Sequence, residues 1–375
     1  MNSKIRILHA STPLSWRGGE QQIAYLASAL LAKGHPQKIL CPISSKMEHH
    51  CQELEIPYAT AQKASGLRLS YARSLKSVAQ ELSADIIHLH DSHAHSAALL
   101  ACKFLRLRIP LVLSRRVDFP IKDNFISRSK YNSPYINKII CVSNAIRDVL
   151  APSIQDLQKL SVIHDGVDTN RFSGKQATGK LHQELGIPAP IRIIGNTSAI
   201  SDEKDYDTFL DIAAHLTKSR SDIVFVIIGE GEKRAHIEER IQTENLAQSV
   251  FLTGYRTDIP DILPELDIFL MPSKTEGLGS SLIDAMACRV PIVSTYAGGI
   301  PELITHKSTG MLAPIGDAKA LSEHITQILD DPGLDQRLTE NAYAQLDRFN
   351  TETMAHKTEA VYRSILDLGS SSERV

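Results

Sequence analysis

Two carboxylates eight positions apart, Glu276 and Asp284, flank the run Gly277-Leu278-Gly279-Ser280-Ser281. Leu282, Ile283, Ala285, Met286 and Ala287 extend that run with helical spacing, so a helix is expected to begin at about Ser280 with a capping residue in place. The N–H groups of a helix start favour phosphate. A carboxylate beside bound phosphate is repelled by it unless it meets hydroxyl donors instead. Sugars offer hydroxyls on both sides of a diphosphate, so the pattern points to a nucleotide-diphospho-sugar. Either acid alone would more simply be a solvated surface group.

Other chemistry-bearing residues sit at the ends of expected strands. Arg17-Gly18-Gly19-Glu20 opens a helix whose apolar face is Ile23, Leu26, Leu30 and Leu31 and which ends at Gly34. Two residues without side chains there let a diphosphate or an acceptor sugar approach the backbone. Arg115 and Arg116 follow another strand end, where forked donors suit phosphate or carboxylate; a solvated basic loop is the alternative. Asp85 to His95 carries His88, His90, His93 and His95. No Cys or carboxylate cluster completes a zinc-type set around them, so no metal is expected, and core or loop histidines are the alternative. Gly229-Glu230-Gly231 has Arg234 where a dinucleotide fingerprint needs its third glycine, which argues against a nicotinamide enzyme.

The stretch from Glu276 to Glu302, with Cys288-Arg-Val-Pro291, Gly298-Gly299 and Pro301-Glu302, resembles the donor-site signature of the family 4 retaining glycosyltransferases of GT-B fold. Asp284 stands where that family usually has Glu. Arg17 to Glu20 resembles the family's Gly-Gly-x-Glu loop, and Asp85 to His93 its histidine motif. His164-Asp-Gly-Val-Asp168 resembles its inter-domain segment, with Asp165 for the usual Asn. Asn196 to Lys204 resembles the segment that holds the donor diphosphate with an Arg and a Lys; Lys204 matches, but the Arg position is Ala199. The resemblance implies two Rossmann-like domains about a cleft that closes for reaction. It also implies no cofactor or metal, a UDP- or GDP-linked donor, and a glycan or lipid-linked acceptor of bacterial surface-glycan synthesis. By the same resemblance, Glu276 holds donor-sugar hydroxyls, Asp284 the ribose, and His93 a donor-sugar hydroxyl or the acceptor side. Lys204, Gly277 to Ser281 and Gly19 then stabilise the leaving diphosphate. A GT-B nucleotide-sugar epimerase and a non-catalytic sugar-nucleotide binder are the competing readings.

The elements that must position these residues are short apolar runs alternating with helical patterns, an α/β organisation of parallel sheets. Strands are expected at Ile5–His9, Lys38–Cys41, Asp85–Leu89, Leu111–Ser114 and Ile139–Val142, then at Ile191–Gly195, Ile223–Ile228, Val250–Thr253, Ile268–Met271 and Pro291–Ser294. The predicted division is an acceptor-side domain over 1–172, a linker over 173–190, a nucleotide-sugar domain over 191–350, and a helix over 351–375 returning to the first domain.

At 375 residues the chain exceeds the size of one core. Its net charge of -2 leaves no basic excess for nucleic acid. Five scattered cysteines read as reduced core residues, and no apolar run is long enough for a bilayer. A cytoplasmic location is expected, with contact at the inner membrane face as the only membrane association. The bases of Lys122 to Lys138, interleaved with Phe125, Ile126, Tyr131 and Tyr135, face either water, the simpler choice, or an anionic membrane. The oligomeric state is not legible.

Overall fold

A computed structural model describes residues 3–62, 69–172 and 174–372; Ser173, the first residue of the predicted linker, lies outside them. The chain forms two compact units, unit 1 from Met1–Val167 with Asn350–Val375 and unit 2 from Asp168–Phe349.

Unit 1 holds strands β1 (Ile7–Ala10), β2 (Gln37–Pro42), β3 (Tyr58–Ala61), β4 (Ile86–Leu89), β5 (Leu111–Arg115), β6 (Ile136–Cys141) and β7 (Leu160–Val162). They form one parallel sheet in the order β3-β2-β1-β4-β5-β6-β7. Unit 2 holds β8 (Arg192–Thr197), β9 (Ile223–Ile228), β10 (Val250–Gly254), β11 (Ile268–Met271), β12 (Ile292–Thr295) and β13 (Met311–Ala313), parallel in the order β10-β9-β8-β11-β12-β13. Strands buried on both faces need unbroken apolar runs, as Ile223–Ile228 supplies.

In each sheet the winding reverses once, between β1 and β4 and between β8 and β11. Ligands of doubly wound folds bind beyond the carboxyl ends of the strands at such a reversal. The four loops there, with the helix starts that follow them, carry Arg17 to Gly19, His90 to His93, Ser198 to Lys204 and Pro272 to Gly279. The order of the strands thus gathers the predicted chemistry at one crevice in each unit.

Three expectations are corrected. Strands β3, β7 and β13 carry no pattern that separated them from loops. The stretch read as a linker holds a helix, Lys180–Leu185, within unit 2. Buried Glu265 caps it, accepting the Thr178 N–H at 2.6 Å and the Gly179 N–H at 3.1 Å. Helix Ser280–Ala287 is capped by Gly279, in the left-handed region at φ 90°, with no side-chain cap; Ser280 is its first residue. Helix Thr351–Ser372 belongs to unit 1, where Met354, Ala355, Tyr362 and Ile365 pack with Ile7, Leu26, Leu30 and Ile86.

Candidate functional site

In unit 2 the loop after β11 is shaped by its neighbours. The Ser294 hydroxyl donates to the Met271 carbonyl at 2.7 Å, and the Thr295 hydroxyl to that of Ser273 at 2.6 Å. The Gly299 N–H donates to the Glu276 carbonyl at 3.0 Å. Gly298 has φ 48°, and a Cβ there would lie 1.8 Å from that same carbonyl oxygen, so only glycine fits. On the other side the Lys274 N–H donates to the Glu203 carbonyl at 2.8 Å, and its ammonium meets Asp205 at 2.9 Å.

This frame holds Glu276 almost buried, at 8% exposure. Its Oε1 accepts from the Ser273 hydroxyl at 3.1 Å and forms an ion pair with Lys204. An acid and a base taken from two loops therefore satisfy each other at the start of helix Ser280–Ala287. Gly277, Leu278, Gly279 and Ser281 lie on the same turn, with Leu278 buried. Ala199, where a second cation was expected, is half-buried in the loop after β8.

Asp284 is half-buried on that helix. Loss of hydration pushes its carboxyl up to about 7, while the Arg171 guanidinium pulls the other way. Such a group stays partly protonated near neutrality and can donate as well as accept, which suits a hydroxyl partner better than a phosphate.

In unit 1 Asp91 organises two loops. Its carboxylate caps helix Ser92–Leu105 through the N–H groups of His93 (2.8 Å) and Ala94 (2.9 Å), and it also accepts from the Thr12 hydroxyl at 2.6 Å. His93 is exposed at the helix start. Arg17 caps the Gly18–Ala32 helix, where the Arg17 N–H donates to Glu20 at 2.9 Å. A Cβ on Gly19 would meet nothing within 4 Å, so packing does not demand glycine there.

The remaining candidates have structural partners. Buried Arg115 donates to the Tyr131 hydroxyl at 3.0 Å and to the Phe119 carbonyl, so it holds the following segment rather than standing open to a ligand. Arg116 pairs with buried Asp165 at 3.3 Å. His95 is fully buried against the edge of the Tyr131 ring.

His9, His88 and His90 bring ring nitrogens within 4.8 Å of one another, a grouping that the spacing of His88 and His90 alone did not show. They hydrogen-bond to each other and to neutral groups, and the Arg116 guanidinium donates to His90 Nδ1 at 3.5 Å. His9 joins His90 at 2.9 Å and Gln37 at 2.9 Å; His88 joins Tyr362 at 2.6 Å and Ser114 at 2.8 Å. Burial, with the Arg116 charge nearby, holds His88 and His90 well below the usual histidine range. They are neutral connectors, and His88 ties the sheet to the last helix.

Arg171, Gln37 and Tyr362 escaped the sequence because their roles come from partners distant along the chain.

Residues 178–345 match the model of the group 1 glycosyl transferases, and residues 16–171 that of glycosyltransferase family 4. The chain is 24% identical over 307 residues, 80% of its length and 79% of the relative's, to N-acetyl-alpha-D-glucosaminyl L-malate synthase of Bacillus anthracis. It is 25% identical over 260 residues to the Escherichia coli UDP-Gal:alpha-D-GlcNAc-diphosphoundecaprenol alpha-1,3-galactosyltransferase, covering 66% of this chain and 67% of that one. Anabaena HepE, solved with UDP and glucose, superposes with a TM-score of 0.85 at 21% identity, over 96% of this chain and all of that one. With each unit matched by its own model and the fold shared with HepE over 96% of the chain, the chain belongs to the group 1 glycosyltransferases of family 4, with the GT-B fold.

Proposed function

We infer that the protein moves a sugar from a UDP- or GDP-linked donor to a glycan or lipid-linked acceptor of a bacterial surface polysaccharide, with retention of configuration and without a metal. The observation that carries this reading is the Lys204–Glu276 pair at the start of helix Ser280–Ala287. A donor entering there exchanges partners with the pair. Its diphosphate takes the Lys204 ammonium and the helix N–H groups, and its sugar hydroxyls take the Glu276 carboxylate. Lys204 then opposes the charge that develops on the leaving nucleoside diphosphate, and the leaving phosphate takes the acceptor proton. Asp284 meets the ribose hydroxyls. His93 and the open backbone at Gly18 and Gly19 serve the donor sugar or the acceptor.

Support for a lipid-linked acceptor comes from the Escherichia coli relative, whose name states one. Ala199 favours a second reading, a sugar-nucleotide binder without turnover, because a methyl group replaces a cation beside the diphosphate. Incubation with UDP- and GDP-sugars and a panel of acceptors, followed by mass spectrometry, separates the two. Glycoside formed equally well with and without EDTA is the expected result. An epimerised donor, binding without product, or a requirement for a divalent ion would overturn the reading.

A further inference from the structure

Unit 1 exposes four large apolar side chains within ten residues: Val117 (39% exposed), Phe119 (61%), Phe125 (86%) and Ile126 (80%). Single apolar residues on a surface are ordinary, whereas a contiguous group marks an interaction site. The segment that bears them is firmly held. The buried Arg115 guanidinium donates to the Tyr131 hydroxyl and the Phe119 carbonyl and lies 4.8 Å from the Phe119 ring centre. Asn124 caps helix Phe125–Tyr131 by accepting the Ser127 N–H at 2.8 Å, and the helix ends on buried Tyr131. Asn132 then donates to the Ser153 carbonyl at 2.9 Å. Since both ends are fixed, Phe125 and Ile126 are displayed on an ordered turn of helix, where no ordering cost remains to be met on binding.

The charge around them is biased. Within residues 117–131 there are three bases, Lys122, Arg128 and Lys130, and two acids, Asp118 and Asp123, in a chain whose net charge is -2. Lys122 and Arg128 are exposed on either side of Phe125 and Ile126, although Arg128 shares its charge with Asp123 at 3.0 Å. Aromatic and aliphatic tips rimmed by Lys and Arg match the boundary of an anionic bilayer, where acyl chains take the first and headgroups the second. Protein interfaces, in contrast, are depleted in lysine. Among the described residues no helix is long and apolar enough to cross a membrane, so a contact of this kind is peripheral.

We propose that residues 117–131 form a docking surface for an anionic lipid bilayer, with Phe125 and Ile126 entering the acyl boundary and Lys122 and Arg128 lying among the headgroups. The surface belongs to unit 1 and needs neither Glu276 nor Lys204, so it goes beyond the transferase reading and fails or stands separately from it.

Flotation with phosphatidylcholine vesicles, with and without phosphatidylglycerol, tests it. The wild-type chain is expected to float with the anionic vesicles and to be released by high salt. Phe125→Ser/Ile126→Ser and Lys122→Glu/Arg128→Glu should each lower the bound fraction roughly tenfold or more. Melting temperature and donor Kd should stay unchanged in both. A Phe125→Trp variant supplies a second readout, a blue-shifted emission on adding anionic vesicles. The proposal is overturned by a wild-type chain that does not float or floats equally with phosphatidylcholine alone. It is equally overturned by a Ser variant that floats like wild type, or by a dimer in vesicle-free buffer that the Ser variant abolishes. Loss of donor binding in the wild-type chain would count against the transferase reading alone.

Discussion

Glu276 shows how a single side chain can be nearly buried and still be available. Its partners are a hydroxyl and an ammonium, both of which a ligand can replace. Truncation to alanine leaves the bonds to the Ser273 and Glu276 carbonyls in place, so Glu276→Ala should keep its fold while losing transfer. Each lost bond to a sugar hydroxyl costs roughly 1.5–3 kcal/mol, about 10- to 150-fold. Wild-type turnover in a folded Glu276→Ala protein would remove this residue from the site.

Asp284 makes a prediction about pH. Its folded-state pKa of about 7 lies above the unfolded value, so the folded state binds the proton more tightly than the unfolded chain does. The resulting stability is complete below pH 3.8, the ordinary aspartate value, and is lost as pH rises through about 7. Asp284→Asn should therefore be more stable than wild type at pH 8, by on the order of 2 kcal/mol, and should lose that advantage near pH 4. It should bind donor more weakly, trading affinity for stability. Equal melting temperatures at both pH values would refute the assigned shift; unchanged donor Kd would refute the ribose role.

The histidines divide in the same way. His93→Ala is expected to lower turnover with no change in melting temperature, because that side chain is exposed. His88→Ala should instead cost stability, about 1–3 kcal/mol for each of Tyr362 and Ser114 left without its partner. Circular dichroism melts beside initial rates distinguish the two, and equal effects on both quantities would contradict the division.

At the scale of elements, two glycines predict opposite behaviour. Gly298→Ala places a methyl group into the Glu276 carbonyl, so the loop after β11 must shift and donor Kd should rise at least tenfold, roughly 1.4 kcal/mol. Gly19→Ala meets open space, so the melting temperature should hold while KM for donor or acceptor rises. A Gly19→Ala enzyme with wild-type kinetics would leave that turn without a ligand role. The same elements show what the sequence discloses. Ile223–Ile228 and Ile268–Met271 were legible to the residue because both faces of those strands are buried. Leu160–Val162 and Met311–Ala313 were not, since three residues are too few for a period and their pairing depends on neighbours far along the chain. The cap at Gly279 was missed for a related reason: a left-handed glycine and a capping serine both begin helices, and only the backbone angle decides between them.

For the molecule as a whole, the site was legible where its residues are consecutive and illegible where folding assembles it. Glu276 to Asp284 could be read from spacing because one turn and one helix carry them. The pairing of Glu276 with Lys204, the nearness of the Arg171 charge to Asp284 and the tie of the last helix to His88 depend on tertiary structure alone. Ala199 tests whether charge at the diphosphate limits the protein. Ala199→Arg should tighten nucleoside-diphosphate binding roughly tenfold, by one charge-assisted hydrogen bond of about 1.5 kcal/mol. No change would show that the loop after β8 does not reach the phosphates.

The most direct measurement is calorimetric affinity for a nucleoside diphosphate and for the matching nucleotide-sugar, in the wild-type, Lys204→Ala and Glu276→Ala proteins. If Lys204 meets the diphosphate and Glu276 the sugar, Lys204→Ala weakens both ligands, whereas Glu276→Ala weakens only the nucleotide-sugar. Equal losses for both ligands in both variants, or no loss in either, would contradict the assignment of the two residues.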